Sequence, residues 1–222
     1  KDRRAQMEHL KVSNYDKMRD SMESVFLKYD QTQMIEKFHL IHDTEYLYID
    51  FVGRTYRVDR KSGRVTYAAE GTDSYQHADY NISMTIFDVL CESKPDCQLS
   101  NTYVPVNRLK NVVQTTRLGA DFFQKEARFF KNKCLELSRA CEHLGGIAQK
   151  VGDVSYQIPL FPFLPVVLQF WDADEEFDAV LKLMWDEHIL DYMHYETTYF
   201  AAAHLLERVV EEIKREQEGK SI

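Results

Sequence analysis

The sequence is poor in the residues that mark specialised chain types. Eight glycines and five prolines in 222 residues exclude a collagen-like or linker-like chain. Cationic residues are in deficit, with 28 Lys and Arg against 36 Asp and Glu for a net charge of −8. A nucleic-acid binder gains affinity by neutralising phosphates, and a polybasic membrane-surface protein needs the same excess, so the balance argues against both. The longest uninterrupted apolar run, Ile158 to Leu168, is 11 residues long and contains Pro159, Pro162 and Pro165. A spanning helix needs about 20 apolar residues, and prolines at that spacing forbid an ordinary helix. Lys1 to Met7 offers no apolar core for a secretory signal. The expectation is a soluble, cytoplasmic protein with neither a nucleic-acid nor a membrane partner.

Cysteine is scarce too. Cys91, Cys97, Cys134 and Cys141 form no Cys-x-x-Cys pair and no zinc-finger spacing. Cys134 and Cys141 lie about 10 Å apart along a helix, too far for a disulfide. They read as reduced, mostly buried thiols.

What the chain does have is apolar and aromatic mass. Apolar residues make up 44%, enough for a sizeable core, and there are 13 Tyr, 13 Phe and 2 Trp. Met18, Met22, Val25 and Phe26 recur at helical spacing over Asn14–Tyr29, and Asp30 or Thr32 can cap a short helix through Ile35 and Phe38. From Glu45 the period becomes two, with turns at Gly53-Arg54 and Lys61 to Arg64, which predicts a three-stranded meander. Glu70 to His77 reads as a polar loop and Ile82 to Leu90 as a helix, while Tyr103 to Val113 is ambiguous. Asp121 to Leu144 reads as one long helix stopped by Gly145-Gly146. The segments Val166–Phe170 and Val180–Trp185 form a hairpin around an acidic turn, and Tyr199–Ile213 is a final helix. Strands and helices come in blocks, which predicts an α+β fold: a single domain, 1–222 with a core of about 14–213, whose antiparallel sheet joins the meander to the hairpin.

The sharpest local anomaly is Trp171-Asp172-Ala173-Asp174-Glu175-Glu176-Phe177-Asp178, five carboxylates bracketed by aromatic residues. Like charges so close repel. Full solvation in a turn, a bound hard cation, or a carboxyl of raised pKa beside Trp171 or Phe177 would each offset that repulsion. A second cluster, Trp185-Asp186-Glu187-His188, places Asp186 and His188 on one face of a strand with a mixed carboxylate and imidazole donor set. If the hairpin forms, the two clusters lie at its opposite ends. His39 and His42 read as surface residues, and the glycines around Lys150 read as turns, since they lack Walker spacing. There is no Gly-x-Ser-x-Gly, Gly-x-Gly-x-x-Gly or His-Glu-x-x-His.

The ordered series Leu144-Gly145-Gly146, Gly152-Asp153-x-Ser155, Phe161-Pro162-x-x-Pro165, Trp171-x-x-Asp174-Glu175-Glu176-Phe177 and Met184-Trp185-Asp186 resembles the domain of unknown function family 3786. The resemblance runs roughly from Asn14 to Ile213. That family is found largely in anaerobic bacteria and archaea, and some relatives carry an added iron–sulfur domain of the corrinoid-protein type. The resemblance therefore implies a setting near corrinoid or one-carbon metabolism. It names no reaction and no cofactor.

Two functional expectations follow. The first is a binding or accessory protein for a small molecule or protein partner, with Ser155, Trp171, Phe177 and Trp185 contacting the ligand. The second is a metal-dependent hydrolase or lyase, with Asp172, Asp174, Glu176, Asp186 and His188 as ligands and Asp153 and Glu175 as acid–base groups. On this reading the remaining aromatics are periodic core residues.

Overall fold

The computed structural model describes residues 13–69, 71–110 and 123–219. The chain opens with helices α1 (Asn14–Phe26) and α2 (Gln31–Phe38). The Ser13 hydroxyl accepts from the Asp16 N–H, and the Asp30 carboxylate accepts from the Thr32 and Gln33 N–H groups, so each helix start is capped by its own sequence. Strands β1 (Ile41–His42), β2 (Tyr46–Phe51), β3 (Arg54–Asp59), β4 (Val65–Ala68) and β5 (Tyr75–His77) follow, and then α3 (Tyr80–Glu92). Next come β6 (Tyr103–Pro105), α4 (Gln124–Phe130), α5 (Cys134–His143), β7 (Ile147–Ala148), β8 (Val154–Phe161), β9 (Leu164–Trp171), β10 (Val180–Asp186) and α6 (Tyr195–Gly219).

The fold is α+β, as its block pattern predicts, and its strands form two antiparallel sheets of five. The meander runs β1-β2-β3-β4-β5, and the later hairpin sits in a sheet ordered β6-β10-β9-β8-β7. The sheet expected to join meander and hairpin is therefore two. Alternation in β2 buries Leu47, Ile49 and Phe51 on one face only, whereas Ile158, Leu160, Val166, Val167 and Leu168 bury β8 and β9 on both faces. A strand covered on both faces belongs at the centre of its own sheet. Both sheets share one cluster of buried side chains with α3 and α6. Among the described residues no helix is long and apolar enough to cross a membrane.

Four local readings change. The β2–β3 turn is Val52-Gly53, one residue before the expected Gly53-Arg54, because Phe51 pairs with Arg54. Val52 and Gly53 have φ of 47° and 68°, the pattern of a type I′ turn. A β-branched residue is strained there. Val52 is held by full burial, by a 2.8 Å bond from its N–H to the Leu160 carbonyl, and by the Arg208 guanidinium on its own carbonyl. The long helix expected over 121–144 is two helices broken at Asn132, φ 59° (residues 121 and 122 lie outside the described set). Of the loop expected at 70–77, the described part (71–77) contains the edge strand β5, and the ambiguous stretch from Tyr103 begins with the edge strand β6, while 70 and 111–113 lie outside the described residues.

Candidate functional site

The β8–β9 turn places Phe163 between two clefts. The first, about 790 Å³, opens between α2, the end of α3 with its following loop, and Tyr192. The second, about 600 Å³, is more apolar and is lined by Leu40, Ile41, Ile49 and Pro162. Phe38 and Phe163 line both. Their rings stack at 4.3 Å between centroids and 22° between planes. The stack continues inward from Phe163 to Phe161 at 5.5 Å and from Phe161 to Phe51 at 4.6 Å, both at 7°. The wall between the clefts is thus anchored in the core. A third recess of about 480 Å³ shares Asp50, Thr55 and Pro162 with the second cleft.

Local sequence builds this wall. Phe38 is the last residue of α2, and His39 in the left-handed conformation (φ 51°) turns the chain into β1. Pro162 and Phe163 form the two-residue connection between β8 and β9, so Phe163 lies outside the strand ladder yet remains mostly buried.

The polar groups of the first cleft are mostly committed. The Lys37 ammonium donates to the Ser93 carbonyl at 3.0 Å, the Ser93 hydroxyl at 2.7 Å and the Lys94 carbonyl at 2.5 Å. It also lies 5.0 Å from the Phe38 ring centroid. The Tyr29 hydroxyl donates to the Glu92 carboxylate, which pushes the phenol up to about 12. Burial, and then the charges of Glu92 and Asp88, push the Cys91 thiol up to about 12. Burial, and then Cys97, raise Tyr192 to about 12. At neutral pH these groups are protonated, so Cys91 is not a poised thiolate nucleophile.

The residues expected from the sequence lie elsewhere. Asp172 accepts the Asn132 N–H at 3.1 Å to each oxygen, and its own N–H donates to Asp153 at 2.7 Å. These bonds close the α4–α5 break. Asp174 accepts the Glu176 and Phe177 N–H groups at 2.8 and 2.7 Å, which hold its carboxyl below the usual range, opposite to the raised acid considered above. Glu175, Glu176 and Asp178 are exposed, as is Phe177 at 69%. Trp171 is half-buried beneath the Lys182 ammonium, and Trp185 is core at 2% exposure. The Ser155 hydroxyl donates to the Leu168 carbonyl inside the sheet.

Asp186 is fully buried and accepts four hydrogen bonds, from Ser100 N–H and hydroxyl at 3.0 Å, Asn101 N–H at 2.7 Å and His188 N–H at 2.8 Å. Its lone pairs organise the loop before β6, and the His188 ring sits against the Gln98 carbonyl. Asp186 is six residues past Val180, about 20 Å at strand rise. Asp172, Asp174 and Glu176 therefore do not meet Asp186 and His188. None of these expected residues lines the clefts at Phe163.

Among the described residues, one group of three potential ligands comes together, Asp20, Glu23 and His77. The His77 Nε2 lies 2.6 Å from Glu23, while the Arg64 guanidinium, which can only donate, faces Nδ1 at 3.3 Å. That arrangement assigns the ring proton to Nε2 and makes the pair a latch between α1 and β5.

The cleft residues escaped the sequence reading because Phe38, Phe163 and Tyr192 resemble core aromatics. The available signal was a phenylalanine in a two-residue turn, where polar residues or glycine are usual.

A sequence model of the domain of unknown function DUF3786 matches residues 30–208. No curated protein and no solved structure matches the chain. The matched span includes every cleft residue named above except Tyr29.

Proposed function

This chain belongs to the DUF3786 family, and from that premise we propose that it is a small-molecule-binding protein whose ligand occupies the clefts at Phe163. The observation carrying this reading is the pair of clefts sharing an aromatic wall. Volumes of about 790 and 600 Å³ fall within the range of ligand sites, and the mixture of apolar walls with a few placed polar groups is the usual composition of one. With the rings of Phe38, Phe163 and Tyr192 stacked on one another, the wall offers their edges and remaining exposed surface, which favours an aromatic ligand through edge contacts and area burial. No step of bond making is assigned to the site. Cys91, Tyr29 and Tyr192 serve as neutral walls and donors.

Thermal unfolding with a panel of planar aromatic fragments tests this. A ligand at 100 times its Kd stabilises by about 2.7 kcal/mol, which is roughly 5–10 °C for a chain of this size. Fragments that raise the Tm of the wild type and not of Phe163→Ala support the reading, and a panel without any shift removes it.

A further inference from the structure

We infer that a recess of about 340 Å³ on the solvent face of the meander is a second ligand site, and that it takes a phosphate monoester. It shares no lining residue with the clefts at Phe163. Local charge sets it apart from the rest of the chain. Five cationic residues fall between Arg54 and Arg64 against Asp59 alone, in a chain whose net charge is −8. Strand register brings two of the five together. Thr55, Arg57 and Asp59 alternate along β3 with the buried Tyr56 and Val58, so Arg57 points outward, opposite Thr66 on β4. His77 on β5 stands opposite Thr66, and Arg64, the residue before β4, also lines the recess.

Arg57 is held in place with donors to spare. Its guanidinium carbon lies 3.2 Å from the Tyr75 ring centroid and 4.4 Å from that of Tyr46, and its Nε donates to the Thr66 hydroxyl at 2.9 Å. The terminal N–H groups meet no acceptor among the described residues. Stacking on rings leaves the edge of a guanidinium open, and that edge is the part that forks to phosphate oxygens. Arg64 spends one nitrogen, at 3.3 Å from the His77 Nδ1. The neighbouring carboxylates are turned to other groups. Asp59 accepts the Lys61 and Ser62 N–H groups at 2.9 and 2.8 Å. Glu23 faces the other His77 nitrogen at 2.6 Å. Asp43 accepts the Tyr48 hydroxyl and the Glu45 and Tyr46 N–H groups, each at 2.7 Å. The recess is thus lined by two guanidinium groups with open donors and one carboxylate committed to its turn. Two positive charges match a phosphate monoester, about −1.5 to −2 at neutral pH, better than a carboxylate. Half-exposed Tyr75 offers apolar contact to the attached organic group. A recess of this size with two guanidinium groups suits one phosphate, not the spaced phosphates of a nucleic-acid strand.

Isothermal titration at low salt with phenyl phosphate, benzoate and benzyl alcohol tests the inference. Phenyl phosphate is expected to bind at least tenfold tighter than benzoate, with the alcohol weakest. Arg64→Gln, at an exposed position, and Arg57→Lys, which keeps the charge and loses the fork, should each weaken phenyl phosphate at least fivefold, while Phe163→Ala leaves it unchanged. Absence of phenyl phosphate binding, or binding no tighter than the alcohol, overturns the site. Binding that survives both arginine variants overturns it too, and if Phe163→Ala then abolishes that binding the phosphate belongs to the clefts. A short oligothymidylate bound more than tenfold tighter than phenyl phosphate, and lost in both arginine variants, overturns the small ligand in favour of nucleic acid. None of these outcomes bears on aromatic fragments binding at Phe163.

Discussion

Replacing Phe163 with alanine removes the side chain that separates the two clefts and joins the turn to the aromatic stack. A fully buried Phe→Ala change costs about 3–5 kcal/mol. Phe163 is mostly buried, so the larger part of that applies, about 2–4 kcal/mol. Loss of the close stack with Phe38 adds about 0.5–1.5 kcal/mol. The sum, about 2.5–5.5 kcal/mol, corresponds to a fall in Tm of roughly 5–20 °C for a chain of 222 residues. Phe163→Leu keeps apolar volume without the ring face and is expected to lose about 1 kcal/mol. Calorimetry on the three proteins, with far-UV circular dichroism to confirm unchanged secondary structure, measures this series. A Phe163→Ala protein within 2 °C of wild type would refute the claim that this ring is packed between Phe38 and Phe161.

Gly63 and Gly71 both have positive φ, but a Cβ on Gly63 would lie 2.3 Å from the Glu23 carbonyl oxygen, whereas Gly71 faces open space. Gly71→Ala is expected to cost about 1 kcal/mol and Gly63→Ala at least 2 kcal/mol more, read from urea midpoints; equal losses would contradict the α1 packing. Asp186→Ala leaves three backbone N–H groups and the Ser100 hydroxyl without their acceptor and should cost about 3–5 kcal/mol, while metal content by elemental analysis stays unchanged. Loss of bound metal with little loss of stability would instead assign Asp186 to a metal site. Burial, then the Arg208 and Arg54 charges, lower His204 to about 3 against an unfolded value near 6.5. A base with a depressed folded pKa binds its proton in the unfolded state first, so stability falls as pH drops from about 6.5 toward 3, with a slope contribution near 1.4 kcal/mol per pH unit. His204→Gln should flatten that window in pH-dependent urea melts, and an unchanged slope would contradict the neutral burial of His204 beside Tyr56.

Local chemistry made much of the fold legible. Asp30 capped the helix it was expected to cap, Gly145 ended α5 with φ 79°, and the alternation of Leu47, Ile49 and Phe51 marked β2. What stayed hidden depended on partners distant in sequence. The break at Asn132 is closed by Asp172, 40 residues away, so the helical period of 121–144 carries no trace of it. The turn at Val52 is set by Leu160 and Arg208 and overrides the preference of valine. In the acidic segment the carboxylates serve the backbone, Asp174 in its own turn and Asp172 at the α4–α5 break. The aromatic wall was illegible for a different reason. Composition counts Phe38 and Phe163 like any other phenylalanines, and only the meeting of a helix end with a hairpin turn places them between two clefts.

Saturation-transfer NMR with a library of planar aromatic fragments, on the wild type and on Phe163→Ala, tests the central claim most directly. The account predicts that fragments contact the wild type and lose that contact in the variant. Fragments that bind both proteins equally, or bind neither, would contradict a ligand site at Phe163.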